Sequence, residues 1–250
     1  MIDLPTLRRI ARTKSLTNLG FAEKDYFQDI LLLAASREAP NLLFKGGTAL
    51  YKLHGLDRFS EDLDFHGRIS APTLNRLARY LGDFGFPAEV EHKGVRGGTL
   101  AKFSVRGLLY QGTAQTLARI RFDVSHLDNV PPKAEWKTCF PLYGDIPSFR
   151  VQALVIEEML AEKVRALLVR GKARDAYDVW FLLGKGVVLD GGLVARKMEI
   201  YKRRFDARAL ERALGVVRTN WKSELGTMVP RLPDFEAVAD AIRTGLEKLR

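Results

Sequence analysis

Residues 41–65, which read NLLFKGGTALYKLHGLDRFSEDLDF, decide the fold of this chain. The apolar run at 42–44 has the length of a buried strand and stops at Gly46-Gly47, after which helix-compatible residues follow. A strand, a glycine turn and a helix start leave backbone N–H groups free to bind an anion. We therefore predict that Gly46 and Gly47 form a phosphate-binding turn, with the Thr48 hydroxyl as an additional donor.

The end of this stretch, Asp62-Leu63-Asp64-Phe65, places two carboxylates two residues apart. Side chains of a strand alternate between its faces, so Asp62 and Asp64 would share one face and the two apolar residues the other. Neighbouring carboxylates repel each other unless a cation lies between them, and hard oxygen ligands suit Mg²⁺ or Mn²⁺. An Asp-x-Asp pair alone is more often a loop or a solvated strand face. After the glycine turn, it indicates a metal site for chemistry on nucleotides.

Ser60 lies two residues before Asp62 and would face the same way on an extended backbone. Its hydroxyl could orient the carboxylate or itself become modified. It could equally serve only as a turn or helix cap. The sequence leaves these roles open.

Three strand-like runs follow at residues 88–92, 100–110 and 117–126, separated by glycines. This spacing predicts an antiparallel meander. In the last run, Ile120, Phe122 and Val124 alternate with Arg119, Arg121 and Asp123. One face would enter the core, and the other would present a carboxylate flanked by arginines, unless Arg121 and Asp123 only form a surface ion pair.

Length and composition indicate a globular protein with one large domain or two modest ones, since the chain has 250 residues. The single cysteine, Cys139, excludes an internal disulfide and a cysteine-based zinc site. No apolar run approaches the roughly 18 residues of a membrane span, and the N-terminus does not resemble a signal peptide. We expect a cytoplasmic protein without a membrane partner.

The net charge of +10 favours a polyanionic partner without identifying one. A basic cluster beyond residue 186 could be an RNA-binding surface, a docking site for an acidic partner or an ordinary solvated face. Its members are Arg196, Lys197, Lys202, Arg203, Arg204, Arg208 and Arg212.

Helical patterns occupy both ends of the chain. Residues 3–39 are predicted to be helical, and Ser70-Ala71-Pro72 is a helix start with Ser70 as the N-cap. Residues 128–147, rich in proline and glycine, are predicted to be an irregular connector. Helical patterns continue to the end, so we predict two domains, 1–150 and 151–250.

Two strings carry a resemblance to a known family. The string GGTALYKLHGLDRFSEDLDF at 46–65 resembles the nucleotidyltransferase superfamily signature and, more fully, the AbiE-type toxins. These are the nucleotidyltransferase components of bacterial and archaeal toxin–antitoxin pairs, a group that includes related mycobacterial toxins. The string EKVRALLVRGKARDAYDVWFLL at 162–183 resembles the same toxins. The resemblance implies an α+β fold: a mixed or antiparallel sheet flanked by helices, then a C-terminal helical lobe.

The resemblance also implies site residues. Asp123 matches the third carboxylate that this superfamily adds to Asp62 and Asp64 in its metal site. Lys163 and Asp175 match a catalytic lysine and aspartate of the toxins, with Asp178 as the other possible aspartate. The nucleotide-binding residues would be Gly46, Gly47, Thr48, Ser60, Arg121 and Lys163.

The implied activity is metal-dependent transfer of a nucleoside monophosphate from an NTP to RNA, first of all the acceptor end of tRNA, which would block translation. A cognate antitoxin is implied as a partner. A nucleotidyltransferase acting on a protein or a small molecule would share the same carboxylates, so these acceptors stay open. A non-catalytic binding module usually lacks one of the three carboxylates, and all three are present here.

Overall fold

The computed structural model describes residues 2–126 and 132–249, and its chain divides into two compact units. Unit 1 comprises residues 2–55, 59–126 and 134–153 and contains the sheet. Unit 2 comprises residues 56–58, 132–133 and 154–249 and is helical. The predicted mixed sheet flanked by helices, followed by further helices, is confirmed.

Unit 1 is built on a mixed sheet. Its strands are β1 (Leu43–Lys45), β2 (Leu63–His66), β3 (Ala88–Val95), β4 (Gly98–Val105), β5 (Ala118–Ser125), β6 (Ala134–Cys139) and β7 (Phe149–Leu154). Their order in the sheet is β3-β4-β5-β2-β1-β7-β6. Strand β2 pairs antiparallel with β1 and parallel with β5, and β1 pairs parallel with β7. The predicted meander of β3, β4 and β5 is confirmed, because both of its pairings are antiparallel.

The helices of unit 1 are α1 (Leu4–Thr13), α2 (Leu19–Glu38), α3 (Gly46–His54) and α4 (Ala71–Asp83). Helix α4 packs against β3 and β4, and its start is as predicted, with the Ser70 hydroxyl accepting from the Thr73 N–H at 3.3 Å. Helix α2 packs against β5 and α4 through a stripe of fully buried residues. The stripe is Tyr26, Phe27, Ile30, Leu31 and Ala34.

A buried ion-pair network joins α3 to α2. The Lys52 ammonium lies 2.8 Å from a carboxylate oxygen of Asp25 and 2.6 Å from one of Asp29. Asp25 also accepts from Lys14 at 2.5 Å and from the Tyr143 hydroxyl at 2.8 Å. Burial by itself would lower the pKa of Lys52, but the two carboxylates raise it. Lys52 therefore anchors α3 and with it the glycine turn.

One strand lies where the sequence predicts an irregular connector. Strand β6, Ala134–Cys139, falls within residues 128–147, of which 128–131 lie outside the described residues. It ends the sheet on the β7 side, and its side chains are mostly exposed or half-buried. An edge strand with mostly exposed side chains shows no clear alternation of apolar and polar residues. The surrounding prolines and glycines therefore led to the prediction of an irregular segment.

Unit 2 contains α5 (Ile156–Arg170), α6 (Ala173–Gly184), α7 (Gly191–Glu199), α8 (Ala207–Leu225) and α9 (Phe235–Leu246). Helix α6 packs against α5, α8 and α9. The prediction that Lys197 belongs to an exposed basic cluster is wrong. Lys197 is buried, and its ammonium lies 3.0 Å from Glu158 and 3.6 Å from Glu162, because its side chain faces α5.

Candidate active site

Of the two aspartates of the Asp-x-Asp motif, Asp64 lies in β2 and Asp62 directly precedes this strand. Leu63 is 0% and Phe65 2% exposed, and the Phe65 ring stacks on Phe122 with centroids 4.5 Å apart. Asp62 and Asp64 are half-buried. Burial of the apolar residues fixes the alternation, so both carboxylates face away from this core, as the sequence predicts.

Asp123 lies beside Asp64 because β2 and β5 pair in parallel with these residues as direct Cα partners. Burial raises the pKa of Asp123 to about 6, and the negative charges of Asp64 and Asp62 contribute to the rise. Three carboxylates, from β2, β5 and the residue that precedes β2, thus influence one another. A cation among them would relieve the repulsion.

Gly46 supports Asp64 from the neighbouring helix start. Its φ of +78° favours glycine, and a Cβ built there would lie 2.3 Å from an Asp64 carboxylate oxygen. No side chain of a described residue caps the N-terminus of α3, which begins at Gly46 and includes the buried Gly47. The start of α3 therefore offers backbone N–H groups to an anion close to the Asp64 carboxylate.

The Thr48 hydroxyl has a different partner from the one that the sequence suggests. It donates to the backbone carbonyl of Asp62 at 2.5 Å, and the side chain is fully buried. A hydroxyl has one proton, so in this arrangement it cannot also donate to a phosphate. Thr48 instead ties the start of α3 to the segment that carries Asp62 and Asp64.

Ser60 is half-buried beside the same segment. Its backbone carbonyl accepts from the Gln28 side-chain amide at 2.8 Å, and the Thr48 hydroxyl lies 3.3 Å from it. The adjacent Glu61 pairs with Lys24 of α2. These contacts hold the backbone that leads into Asp62.

Arg121 forms a bidentate ion pair with Asp62. Its Nε and Nη2 donate to the two carboxylate oxygens at 2.8 Å and 3.0 Å. The Arg121 side chain is 62% exposed, whereas that of Asp62 is 20% exposed. The sequence left open a surface pair between Arg121 and Asp123. In the structure Arg121 of β5 instead pairs with Asp62, the residue before β2.

The donor set fits a divalent metal ion. Among the described residues, no group of three or more histidine, cysteine, aspartate or glutamate side chains is already arranged to hold a metal. Both oxygens of Asp62 accept from Arg121. Asp64 and Asp123 are adjacent carboxylates, whose hard oxygens suit a divalent cation. Release of the exposed Arg121 side chain would add Asp62 as the third.

Lys163 and Asp175 meet in a buried cluster within unit 2. The Lys163 ammonium lies 2.7 Å from Asp178 and 3.7 Å from Asp175. Arg170 donates to both oxygens of Asp175 at 2.6 Å and 2.7 Å. Burial alone would raise the pKa of Asp175, but the Arg170 hydrogen bond and the charge of Lys163 lower it.

Arg58 completes this cluster and was not identified from the sequence. It donates to both oxygens of Asp178 at 2.7 Å and 2.6 Å, and its side chain is 2% exposed. The hydroxyl of Tyr177 donates to the neighbouring Asp57 at 2.7 Å. The stretch Leu56-Asp57-Arg58-Phe59 has one charge of each sign between two apolar residues, so it gave no local signal that Arg58 would be buried against a distant acidic partner.

A family model described as nucleotidyl transferase AbiEii toxin, type IV toxin–antitoxin system, matches residues 30–243. The chain belongs to the AbiEii family of nucleotidyltransferase toxins. Among curated proteins, none is similar enough in sequence to count as a match.

Two solved structures share the fold of this AbiEii toxin. MenT4, a nucleotidyltransferase toxin from Mycobacterium tuberculosis H37Rv, has a TM-score of 0.69 at 22% identity, covering 98% of this chain and 89% of that chain. JHP933 from Helicobacter pylori has a TM-score of 0.64 at 17% identity, covering 94% of this chain and 93% of that chain. At these identities the likeness shows the fold.

Membership in the AbiEii family makes the protein a nucleotidyltransferase and a toxin, with an NTP as substrate and an antitoxin as partner. Within the described residues, no helix is long and apolar enough to cross a membrane.

Proposed function

We propose that this toxin transfers a nucleoside monophosphate from an NTP to the acceptor end of tRNA and thereby blocks translation. The observation that carries the proposal is the position of Asp64. It lies next to Asp123 on the sheet and against Gly46 at the uncapped start of α3. Carboxylates for a metal and N–H groups for phosphate thus meet within unit 1.

In the reaction, a hydroxyl oxygen of the acceptor attacks the α-phosphorus, the bond to the bridging oxygen of the β-phosphate breaks, and pyrophosphate leaves. Asp62, Asp64 and Asp123 would hold Mg²⁺ or Mn²⁺, which neutralises phosphate charge and lowers the pKa of the attacking hydroxyl when bound. The start of α3 at Gly46 and Gly47 holds the triphosphate in place. Asp123 lies on β5, on the opposite side of Asp64 from β1. It is the group to which the acceptor hydroxyl can give its proton.

Thr48 and Ser60 have a structural role in this proposal, because their contacts hold the backbone of the segment before β2 in place. Arg121 would balance phosphate charge once it leaves Asp62.

The role of Lys163 rests on the second family motif. Its cluster contains three cations and two aspartates, so Asp175 and Asp178 keep their arginine partners while Lys163 supplies the additional positive charge. We assign Lys163 to the leaving pyrophosphate and Asp175 to positioning that lysine.

An RNA acceptor is supported by charge. The chain has 40 basic and 30 acidic residues. Several exposed cations of unit 2 form no ion pair with the residues that the structure describes, namely Lys202, Arg203, Arg204 and Arg208. Unpaired cations attract a polyanion through its phosphates.

The test is transfer of α-³²P label from each of the four NTPs, with total RNA and total protein offered separately in the presence of Mg²⁺. Wild type is compared with Asp64→Ala and with Asp83→Ala, a control at the exposed end of α4. We expect label in a tRNA-sized band for wild type and Asp83→Ala only. Label confined to protein would replace the RNA acceptor by a protein. Label in neither fraction would indicate a small-molecule acceptor, and full activity of Asp64→Ala would exclude the metal site.

A further inference from the structure

An open cleft of about 460 Å³ lies on the sheet beside Asp123, on the β3–β4–β5 side of the candidate active site. Its volume is within the roughly 300–1,000 Å³ of small-ligand pockets. Asp123 and Arg121 line one side, and residues of β3 and β4 form the rest. The cleft therefore begins at the carboxylate to which we assign the acceptor hydroxyl.

The strand register arranges the cleft in two rows. Asp123 pairs with Leu100, and Leu100 pairs with Lys93, so the first row runs from the active site to the sheet edge. In the second row, Arg121 pairs with Lys102, and Lys102 pairs with Glu91. Paired residues share a face, so cations of three strands line the same surface as Asp123.

The charges of these rows favour an anion. Lys93 is exposed and forms no ion pair with the residues that the structure describes. Lys102 lies 2.8 Å from Glu91, but both side chains are well exposed, and such a pair is weak enough to exchange for a phosphate. Leu100 is half-buried and gives an apolar floor between Asp123 and Lys93.

The face of the cleft that carries Lys93 and Lys102 has no aromatic ring among the described residues. No phenylalanine, tyrosine or tryptophan lines the cleft there, and His92, which borders it, pairs with the buried Ala101 and so lies on the opposite face of β3 from Lys93. Proteins that read single-stranded RNA by its bases stack them on aromatic rings. A cleft with lysines and an aliphatic floor instead contacts phosphate and sugar, which are the same for every base.

We infer that this cleft is the acceptor subsite and that it binds the sugar-phosphate backbone of the last nucleotides of a single-stranded RNA end. The inference rests on the proposed RNA acceptor. Lys93 and Lys102 hold phosphates upstream of the terminal nucleotide, and the terminal hydroxyl points along the first row toward Asp123. Recognition at this subsite is independent of base identity.

The experiment measures binding without catalysis, by fluorescence anisotropy of labelled eight-nucleotide oligo(A) and oligo(U) RNAs with the full chain at several salt concentrations. We expect Lys93→Gln and Lys102→Gln each to weaken the binding of both RNAs equally, by about threefold to tenfold. Each should also reduce the slope of log affinity against log salt concentration by about 0.7. Arg79→Gln is the matched control, because Arg79 is exposed on α4, which covers the other face of β3 and β4. It should bind as wild type does.

The outcomes separate the subsite from the proposed function. If wild type labels tRNA but the lysine variants bind RNA as wild type does, the subsite is wrong and the function stands. If wild type labels protein but RNA binding still depends on Lys93 and Lys102, the tRNA acceptor is wrong and the polyanion site stands. Loss for oligo(A) alone would overturn backbone recognition, and absence of RNA binding by wild type would overturn the subsite.

Discussion

At the scale of single residues, the site depends on a glycine whose missing side chain makes room for a carboxylate. Gly46 and Gly55 both lie at the ends of α3 with nearly equal φ values, +78° and +74°. A Cβ at Gly55 would meet no atom within 4 Å, whereas one at Gly46 would meet the Asp64 carboxylate. Replacing Gly55 therefore tests the effect of backbone strain alone, whereas replacing Gly46 adds a steric overlap with the Asp64 carboxylate.

We expect Gly55→Ala to cost about 1–2 kcal/mol of stability, because alanine is strained at a positive φ, and Gly46→Ala to cost more, because its Cβ also overlaps the Asp64 carboxylate. Only Gly46→Ala should also lower nucleotide transfer, by about 100-fold or more, since it displaces Asp64. Thermal unfolding and the transfer assay check both variants. Equal activity of the two would show that the position of Asp64 is not required.

The Arg121–Asp62 ion pair predicts competition between an arginine and a metal. Arg121→Gln removes a cation from Asp62, so we expect Mn²⁺ to bind about two- to fivefold more tightly, the range of an exposed ion pair. Titration followed by electron paramagnetic resonance measures the affinity directly.

Arg119→Gln is the control, because Arg119 is two residues away on the same strand face and donates to the Ala114 carbonyl. It should leave Mn²⁺ affinity unchanged. Weaker Mn²⁺ binding by Arg121→Gln would mean that Arg121 orients Asp62 for the metal and does not compete with it.

At the scale of elements, helices α5 and α6 of unit 2 are joined by charges that are almost fully buried, apart from the exposed Arg170. Asp178 has two partners, Arg58 and Lys163, and Asp175 has Arg170 as its bidentate partner. Without Lys163, each aspartate still has an arginine. Without Arg58, Asp178 loses both hydrogen bonds of a buried guanidinium.

We therefore expect Arg58→Met to destabilise the chain by about 3 kcal/mol, the lower end for breaking a buried pair. Lys163→Met should cost about 1 kcal/mol or less but abolish transfer. Urea unfolding and the transfer assay are run on both variants. A large loss of stability with retained turnover in Lys163→Met would make this lysine structural.

The lowered pKa of Asp175 predicts an acid-dependent loss of stability. Its folded pKa lies below the ordinary value of 3.8, so its charge stabilises the fold above that pH, and this contribution disappears as pH falls through the folded pKa. Asp175→Asn should be less stable than wild type at neutral pH, and the difference should shrink below about pH 4. Urea unfolding across pH tests this. A difference that is constant with pH would contradict it.

At the scale of the whole molecule, the surplus of basic residues is divided between paired and unpaired side chains. Arg218 and Arg243 are ion-paired with Glu236 and Glu211. The exposed residues Lys202, Arg203, Arg204 and Arg208 have no such partner within the described part of the chain. Net charge alone does not distinguish these two groups.

Replacing these four unpaired residues by glutamine should weaken tRNA binding and reduce its salt slope by about 2–3, because up to four phosphate contacts are lost. The double variant Arg218→Gln, Arg243→Gln is the control and should change the slope by less than about 1. Filter binding at several salt concentrations measures both. If the salt slopes of the two variants are similar, these four residues do not form the RNA-binding surface.

Much of the sheet was predictable because its signals are local. Burial of Leu63 and Phe65 follows from alternation along a few residues, and so does that of Ile120, Phe122 and Val124. Gly46 was identified from a strand that stops at two glycines. Strand β6 was missed because an exposed edge strand carries little apolar pattern.

The sequence by itself determined which way the candidate site residues face, since the period of a strand puts Asp62 and Asp64 on one face and leaves Asp123 out of the core. Only the tertiary structure decided their partners. Arg121 binds Asp62, 59 positions away, the Thr48 hydroxyl binds a backbone carbonyl, and Lys197 turns inward to Glu158. Such contacts depend on which strands and helices become neighbours. Local propensity and spacing predicted the meander of β3, β4 and β5, which follow one another along the chain, but they do not say which distant strands and helices become neighbours.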